Sequence, residues 1–170
     1  RYVLGRHEDE DFTSADLVVV SPAVPPTSKY VALARENSVP TTTEICLFAE
    51  RLQGPAIAVS GSNGKTTTTS LIGAIVQAHD PRTRLGGNIG ASLLGEVNDI
   101  PADCPVVLEL SSFQLEWLGE KGWAPRVGVL TNLSPNHLDW HGTFDAYAAA
   151  KRKLLAHQQP SDTAVLNADD

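Results

Sequence analysis

The chain has 170 residues, which is enough for one good-sized domain, or for one domain and part of another. Its formal net charge is -7 and its basic residues are scattered, which argues against nucleic acid as the main partner. The sequence shows neither an apolar run long enough to span a bilayer nor a signal peptide. The two cysteines, Cys46 and Cys104, do not form a Cys-x-x-Cys pair, so we expect a cytoplasmic protein with reduced thiols.

Strand-like and helix-like stretches alternate along the chain, which predicts an α/β fold with a mostly parallel sheet. A strand is predicted over residues 17–20, a helix over 27–37, a connection over 39–43 and a helix over 44–52. A domain junction is expected near Thr43. The later predictions are a strand over 56–59, a helix over 68–77, a glycine-rich segment over 84–90, strands over 105–110 and 127–130, a helix over 143–157 and a strand over 163–166.

A phosphate-binding loop is predicted between the strand over 56–59 and the helix after it. The Lys65 ammonium can reach terminal phosphoryl oxygens, and the Thr66 hydroxyl can bind magnesium at the helix N-terminus. The loop is shorter than the common pattern, because Val59 stands where a glycine is expected. A plain strand-to-helix turn with a solvated lysine is the alternative. The loop consists of Gly61, Ser62, Asn63, Gly64, Lys65, Thr66 and Thr67.

Glu109 is the single carboxylate in the otherwise apolar run over residues 106–110. Both faces of a parallel sheet are buried, so this carboxylate is expected to have a cationic partner. Glu109 also lies at the carboxyl end of its strand, where open α/β sheets bind ligands, and this position predicts magnesium as the partner. A glutamate that faces water at the edge of the sheet is the alternative.

Lys151 falls in the middle of an apolar helix face. A lysine there either extends its amine to solvent or loses its solvation. Desolvation lowers the pKa of a lysine, and a neutral amine can react with carbon dioxide to give a carbamate, in effect a carboxylate on a long arm. Both readings remain open at this point. The face consists of Phe144, Tyr147, Ala148, Leu154 and Leu155.

The segment over residues 133–141 follows a predicted strand and contains His137, Asp139 and His141. Their spacing could suggest zinc, but no further well-spaced ligand set accompanies them. We expect His137 to lie beside magnesium or phosphate, with Asp139 and His141 farther out or on the surface. A purely structural loop is the alternative.

Six motifs occur in an order that resembles the Mur ligase family, and the resemblance covers about residues 18–170. The resemblance implies part of a Rossmann-like, UDP-substrate-binding N-terminal domain over 1–42 and a P-loop-containing, ATP-binding central domain over 43–170. It further implies that the central domain is incomplete at its C-terminal end and that a C-terminal domain is absent, so the chain is expected to be a fragment that is inactive alone. The motifs are residues 61–67, 86–90, 109–116, 136–139, 149–151 and 167–170.

Residues 109–114, Glu-Leu-Ser-Ser-Phe-Gln, resemble the branch of that family that adds D-glutamate to UDP-N-acetylmuramoyl-L-alanine in peptidoglycan precursor synthesis. In such enzymes ATP phosphorylates the substrate carboxylate, and the amine of D-glutamate attacks the acyl phosphate. The resemblance implies that Lys65 and the loop amides hold the phosphates, and that Lys65, His137 and Lys151 are catalytic. It implies one magnesium on Thr66 and Glu109, and a second on His137 and carbamylated Lys151.

The resemblance also concerns the muramoyl substrate. It places the loop over residues 21–24 near the uridine end of that substrate. The protein is expected to be a monomer without membrane insertion. Two positions depart from the family pattern, because Asn136 stands where Asp is usual and Ala23 stands where Gly is usual. The positions that match substrate contacts are Asn88, Ser111 and Gln114.

Three function classes stay open on these grounds. The first is the D-glutamate ligase or another Mur-type ligase, including one like folylpolyglutamate synthase. The second is a different P-loop enzyme, such as a phosphotransferase, in which added muramoyl substrate would leave nucleotide turnover unchanged. The third is a nucleotide-binding module without catalysis.

Overall fold

The structure is a computed structural model, and it describes residues 2–169. Strands and helices alternate over most of this range. The strands are β1 (Val18–Val20), β2 (Thr41–Thr43), β3 (Ala56–Ser60), β4 (Arg84–Gly87), β5 (Val106–Glu109), β6 (Val127–Leu130) and β7 (Thr163–Leu166). The helices are α1 (Asp9–Thr13), α2 (Lys29–Glu36), α3 (Glu44–Arg51), α4 (Lys65–His79), α5 (Ser112–Glu120), α6 (Leu138–His141) and α7 (Phe144–Arg152), with a 3₁₀ helix at Leu94–Asp99.

The strands form two parallel sheets. β1 and β2 pair with each other, and the other five strands follow the order β4-β5-β3-β6-β7. This arrangement confirms the predicted α/β fold with a parallel sheet. In the central strand β3, Val59 lies opposite Glu109 of β5 and Val129 of β6. The carboxyl ends of these three strands therefore meet at one edge of the five-stranded sheet.

Several elements differ from their predicted form. Thr41–Thr43 is a strand rather than a connection, because it pairs with β1 and its β-branched side chains suit extended backbone. Arg84–Gly87 is also a strand, since it pairs with β5 despite its glycines. The helix predicted over 143–157 ends at Arg152 and continues as turns. Helix α5 was not predicted, although a capping box between Ser111 and Gln114 marks its start.

The core lies between the five-stranded sheet and the helices α3 and α5. Every residue of β5 is buried, including Glu109. Phe48 of α3 and Trp117 of α5 are fully buried in the same apolar cluster as Leu108. Burial of each such side chain stabilises the fold by roughly 1.5–3 kcal/mol. This core holds β3 and β5 rigidly beneath the loops that follow them.

We define the N-terminal segment as residues 2–43, which contain β1, β2, α1 and α2. An ion pair between Arg35 and Glu120 (2.7 Å) joins it to α5. A hydrogen bond between Trp140 and Ala23 joins it to α6. Within residues 2–169, no helix is both long enough and apolar enough to cross a bilayer.

Candidate functional site

The loop over residues 61–67 is held in shape by the chain that follows β6. The Asn63 N–H donates to Asn132 Oδ1 (3.0 Å), and Asn132 Nδ2 donates to the Asn63 carbonyl (3.0 Å). The Thr131 hydroxyl donates to the same carbonyl (2.7 Å), and the Ser62 N–H donates to the Asn132 carbonyl (2.9 Å). Hydrogen bonds within the protein therefore set the path of the loop.

The Ser62 side chain anchors the loop to Ser134 and Tyr147. Its hydroxyl donates to the Ser134 carbonyl (2.8 Å) and accepts from the Ser134 N–H (2.8 Å). The Tyr147 hydroxyl lies 2.9 Å from the same oxygen. Because the single hydroxyl hydrogen of Ser62 is already used, Tyr147 is the donor. Burial raises the pKa of Tyr147 and keeps this donor protonated.

Lys65 is the first residue of α4, and its side chain contacts the loop that precedes the helix. The Lys65 ammonium donates to the carbonyls of Gly61 and Ser62, at 3.0 Å each. The N-cap of α4 is Gly64, with φ at 78°, so the first N–H groups of the helix point toward the loop. An ammonium and a helix N-terminus beside a loop of backbone amides form an anion-binding site.

Glu109 has both carboxylate oxygens in hydrogen bonds. The Thr66 hydroxyl donates to Oε2 (2.7 Å), and Asn88 Nδ2 donates to Oε1 (2.8 Å). Glu109 is only 2% exposed on a strand that pairs on both sides, so the alternative of a water-facing edge glutamate is wrong. Its direct partners in the structure are neutral donors rather than a cationic side chain.

The Thr66 and Glu109 oxygens fit a magnesium ion by their chemistry. Mg²⁺ prefers oxygen ligands and is usually held by one or two protein groups together with waters and phosphates. Within residues 2–169, no three His, Cys, Asp or Glu side chains are placed to hold a metal ion. The zinc alternative for His137, Asp139 and His141 therefore gains no support.

Lys151 is one of the largest fully buried side chains. Its amine donates to Ser60 Oγ (3.0 Å), and the Ser60 hydroxyl donates to the Leu110 carbonyl (2.6 Å). Burial, the largest cause, and the Lys65 charge together lower the pKa of Lys151 to about 7, and the Glu109 carboxylate opposes the shift. The alternative in which Lys151 extends to solvent is wrong.

One cleft of about 200 Å³ brings several predicted site residues together. His137 lines it in a left-handed backbone conformation (φ 50°), with its ring 4.9 Å from that of Phe113. Asp139 is exposed, whereas His141 Nε2 lies 2.9 Å from Ser112 Oγ and burial lowers the pKa of His141. The cleft is lined by Lys65, Asn88, Ser111, Ser112, Phe113, His137, Tyr147 and Lys151.

A groove of about 360 Å³ lies beside this cleft and shares Asn88, Ser111 and Phe113 with it. Ser111 and Gln114 also form the capping box of α5, in which the Ser111 N–H donates to Gln114 Oε1 (2.9 Å). The three predicted substrate-binding residues thus lie on one groove together with the N-terminal segment. Its lining is Ser21, Pro22, Ala23, Glu44, Gly87, Asn88, Ser111, Phe113 and Gln114.

Three residues that hold the site were not predicted from the sequence. Asn132 comes directly after β6, and the rule that ligands gather at the carboxyl ends of strands would have pointed to it. Tyr147 lies four residues before Lys151 on the same helix face, so helical spacing was the available signal. Ser60, the partner of Lys151, is an unremarkable strand residue that only the fold reveals.

Known proteins resemble the chain over almost its whole length. The chain is 47% identical to UDP-N-acetylmuramoylalanine--D-glutamate ligases from Roseiflexus sp. and Geobacter metallireducens, over 99% and 100% of its length. It spans only 36% and 37% of the length of these relatives.

Solved structures share the fold at low identity. One is a UDP-N-acetylmuramate:L-alanyl-gamma-D-glutamyl-meso-diaminopimelate ligase from Neisseria meningitides, with a TM-score of 0.64, 18% identity, and coverage of 95% of this chain and 54% of that one. Another is the MurF ligase from Thermotoga maritima in complex with ADP, with a TM-score of 0.56, 22% identity, and coverage of 91% and 42%. The Mur ligase middle domain matches residues 59–170, and the chain therefore belongs to the Mur ligase family.

Proposed function

We propose that this chain is the part of an ATP-dependent D-glutamate ligase that binds Mg-ATP and activates UDP-N-acetylmuramoyl-L-alanine. The observation that carries the proposal is the cleft in which Lys65, His137 and the buried Lys151 meet. The Thr66–Glu109 pair at the head of α4 supports it, because a hydroxyl and a carboxylate beside a phosphate loop suit magnesium. The ADP in the MurF relative and the names of the 47% identical relatives point the same way.

The phosphates of ATP would bind to the loop amides of residues 61–67 and to the Lys65 ammonium. Lys65 would exchange its two carbonyl contacts for phosphoryl oxygens, since an ammonium prefers an anion to a neutral acceptor. Thr66 and Glu109 would hold magnesium, with His137 and a carbamate on Lys151 as ligands for a second ion. When bound, magnesium neutralises the charge that the substrate carboxylate and the phosphoryl group share.

The carbamate on Lys151 rests on its neutral amine. With a pKa of about 7, a large share of Lys151 lacks its proton at neutral pH and can attack carbon dioxide. The new N–C bond gives a carbamic acid, which loses its proton to become an anion. This anion would lie in the same cleft as His137, and it would replace a buried amine with a carboxylate-like ligand.

The substrate groove would place the reacting carboxylate beside the phosphates. Asn88 and Ser111 line both the groove and the cleft, so a substrate in the groove can extend toward Lys65. Its carboxylate oxygen would attack the γ-phosphorus of ATP and release ADP. The D-glutamate amine would then attack the acyl carbon, expel phosphate and lose a proton. The protein contributes position and charge rather than a covalent intermediate of its own.

The proposal extends to the domain organisation of the chain and to its location in the cell. We assign residues 1–42 to the UDP-substrate-binding domain and 43–170 to the ATP-binding domain, in a cytoplasmic monomer. The two separate sheets support that division, because β2 ends at Thr43, one residue beyond the proposed boundary. D-glutamate contacts would come from parts of the longer protein beyond this chain, which spans about 36% of its relatives.

A product assay tests the function. The full-length protein is incubated with ATP, magnesium, UDP-N-acetylmuramoyl-L-alanine and one of D-glutamate, L-glutamate or meso-diaminopimelate, and the products are identified by mass spectrometry. We expect UDP-N-acetylmuramoyl-L-alanyl-D-glutamate only with D-glutamate. A product with meso-diaminopimelate instead would indicate another Mur-type ligase. ATP binding with neither amide product nor ATP turnover would leave only a nucleotide-binding module.

A further inference from the structure

A single hydrogen bond ties the loop after β1 to the helix beside the cleft. Trp140 Nε1 donates to the Ala23 carbonyl at 2.7 Å, although the two residues are 117 positions apart in the chain. The acceptor is a backbone carbonyl on the wall of the groove. The donor is on α6, the helix that directly follows His137. This bond therefore connects the wall of the groove with the segment that carries His137.

Helix α6 depends on such side-chain contacts for its position. It has four residues, which are exposed or half-buried, and it begins at His137 in a left-handed conformation. The N–H groups of Trp140 and His141 donate to the His137 carbonyl (3.1 and 2.9 Å), so backbone hydrogen bonds link these three residues. The Trp140 ring also packs against Phe113 with a centroid distance of 4.7 Å.

Phe113 completes the connection because it lines both the groove and the cleft. The Trp140 indole thus bonds to one wall of the groove through Ala23 and contacts another through Phe113. A phenylalanine at position 140 would keep most of the ring contact but would have no N–H to donate. The structure therefore separates the packing of Trp140 from its hydrogen bond.

We propose that Trp140 is a positioning residue for the nucleotide-linked substrate. Its bond to Ala23 sets the width of the substrate groove, because it holds the wall at Ala23 against the segment that carries His137 in the cleft. This inference rests on the proposed function, since it assigns the groove to UDP-N-acetylmuramoyl-L-alanine. ATP binds through the loop over residues 61–67, which is held by Asn132 and Ser134 rather than by Trp140. Loss of the bond should therefore affect the two substrates differently.

The test is the Trp140→Phe variant of the full-length protein, with KM measured separately for UDP-N-acetylmuramoyl-L-alanine and for ATP. We expect the KM for the muramoyl nucleotide to rise about three- to tenfold, the usual effect of one lost hydrogen bond, while the KM for ATP changes by less than about twofold. Circular dichroism and thermal denaturation verify that the variant is folded.

Two control variants isolate the hydrogen bond. Trp123→Phe makes the same substitution at a half-buried tryptophan that packs on the core, and Arg35→Gln breaks the ion pair to Glu120 that also joins the N-terminal segment to α5. Both should keep the wild-type KM for the muramoyl nucleotide. An equal rise in Arg35→Gln would mean that any contact between the two regions suffices, and the role of Trp140 would be refuted.

The outcomes separate this inference from the proposed function. If the wild-type protein forms the D-glutamate product and Trp140→Phe has an unchanged KM for the muramoyl nucleotide, the inference about Trp140 is wrong and the function stands. If Trp140→Phe raises both KM values equally, the residue supports the whole fold rather than the groove. If the wild-type protein forms no such product, the proposed function fails first.

Discussion

The two sides of the cleft differ in how they are held. On one side, Ser62, Glu109 and Lys151 are at most 5% exposed, and each side chain is hydrogen-bonded to a neighbouring element. On the other side, residues 135–139 are all exposed, and His137 contacts Phe113 through its ring. We call these the buried side and the exposed side of the cleft.

This difference indicates a division of roles. The buried side has a geometry set by the protein, so the proposed binding of phosphate there would require little reorganisation. The exposed side is positioned through Phe113 and Trp140, which also contact the groove and its wall. Substitutions on the buried side should therefore change nucleotide binding and catalysis. Substitutions on the exposed side, other than at the proposed magnesium ligand His137, should chiefly change the response to the muramoyl substrate.

The largest effect is expected for Lys151→Ala in the full-length protein. The substitution would remove the proposed carbamate, and with it an anion on the buried side, so ligase activity should fall about 100-fold or more. A short carboxylic acid such as acetate should partly restore it by occupying the space. Lys153→Ala, which removes a half-buried lysine paired with Glu116, is the control and should stay active. A fully active Lys151→Ala variant would show that the amine is dispensable.

The lowered pKa of Lys151 also gives the sign of a pH effect on stability. Between the folded value of about 7 and the ordinary value of 10.5, the unfolded chain holds a proton that the folded protein has lost. Lys151 therefore makes the free energy of unfolding rise with pH through this window. Lys151→Met should be more stable than the wild type near neutral pH and should lose that rise. Denaturant titrations in bicarbonate-free buffer at several pH values measure it, and equal pH slopes would contradict the burial argument.

The next effect concerns nucleotide affinity. Lys65→Ala and Thr66→Ala should each weaken Mg-ATP binding by about 10- to 100-fold, since each removes a charged or metal-directed contact. Lys29→Ala is the matched control, because Lys29 is an exposed lysine of the N-terminal segment. Titration calorimetry decides the matter. An unchanged affinity for Mg-ATP in both loop variants would show that the loop does not bind the phosphates.

A smaller effect is expected for Asn132→Ala, which tests whether the loop is held by the chain after β6. The substitution removes both hydrogen bonds to the Asn63 backbone and should weaken ATP binding about tenfold by loosening the loop. Asn132→Asp keeps the acceptor for the Asn63 N–H but loses the donor, so its loss should be intermediate. Equal affinity in all three proteins would show that the loop holds its shape without Asn132.

The smallest effect comes from a pair of exposed glycines, Gly64 in the loop over residues 61–67 and Gly142 directly after α6 on the exposed side. Both have φ at 78°, and an added Cβ would meet no atom of the described residues within 4 Å. Alanine is strained at both positions, and more so at Gly142, whose ψ of -47° lies outside the left-handed region that Gly64 occupies with ψ at -1°. Gly64→Ala should weaken ATP binding, whereas Gly142→Ala should leave it unchanged. Equal loss of ATP affinity in both would erase the distinction between the two sides.

Much of the fold was predictable because the strands of the five-stranded sheet are short apolar runs. Val106 to Glu109 and Val127 to Leu130 are examples, and Lys65 and Thr66 begin the helix that follows β3 after a short loop. The exceptions have physical reasons. β4 contains two glycines and β2 three threonines, so neither has the composition of a buried strand, and each is defined by its partner strand.

The site was predictable where a charged residue stands in an apolar sequence pattern. Glu109 in an apolar strand and Lys151 on an apolar helix face are such residues, and both proved buried. Asn132 is marked only by its place directly after β6, and Trp140 has ordinary sequence surroundings. The bonds that give them their roles join partners 69 and 117 residues away. Long-range hydrogen bonds of this kind have no local sequence signal.

The most direct test of the central claim, phosphoryl transfer to the substrate carboxylate, follows an oxygen atom. UDP-N-acetylmuramoyl-L-alanine is labelled with oxygen-18 in its free carboxylate, and the full-length protein is given ATP, magnesium and D-glutamate. If an acyl phosphate forms, the oxygen that bridges carbon and phosphorus leaves with the phosphate. Mass spectrometry should then find one labelled oxygen in each inorganic phosphate. Amide product accompanied by unlabelled phosphate would contradict the account.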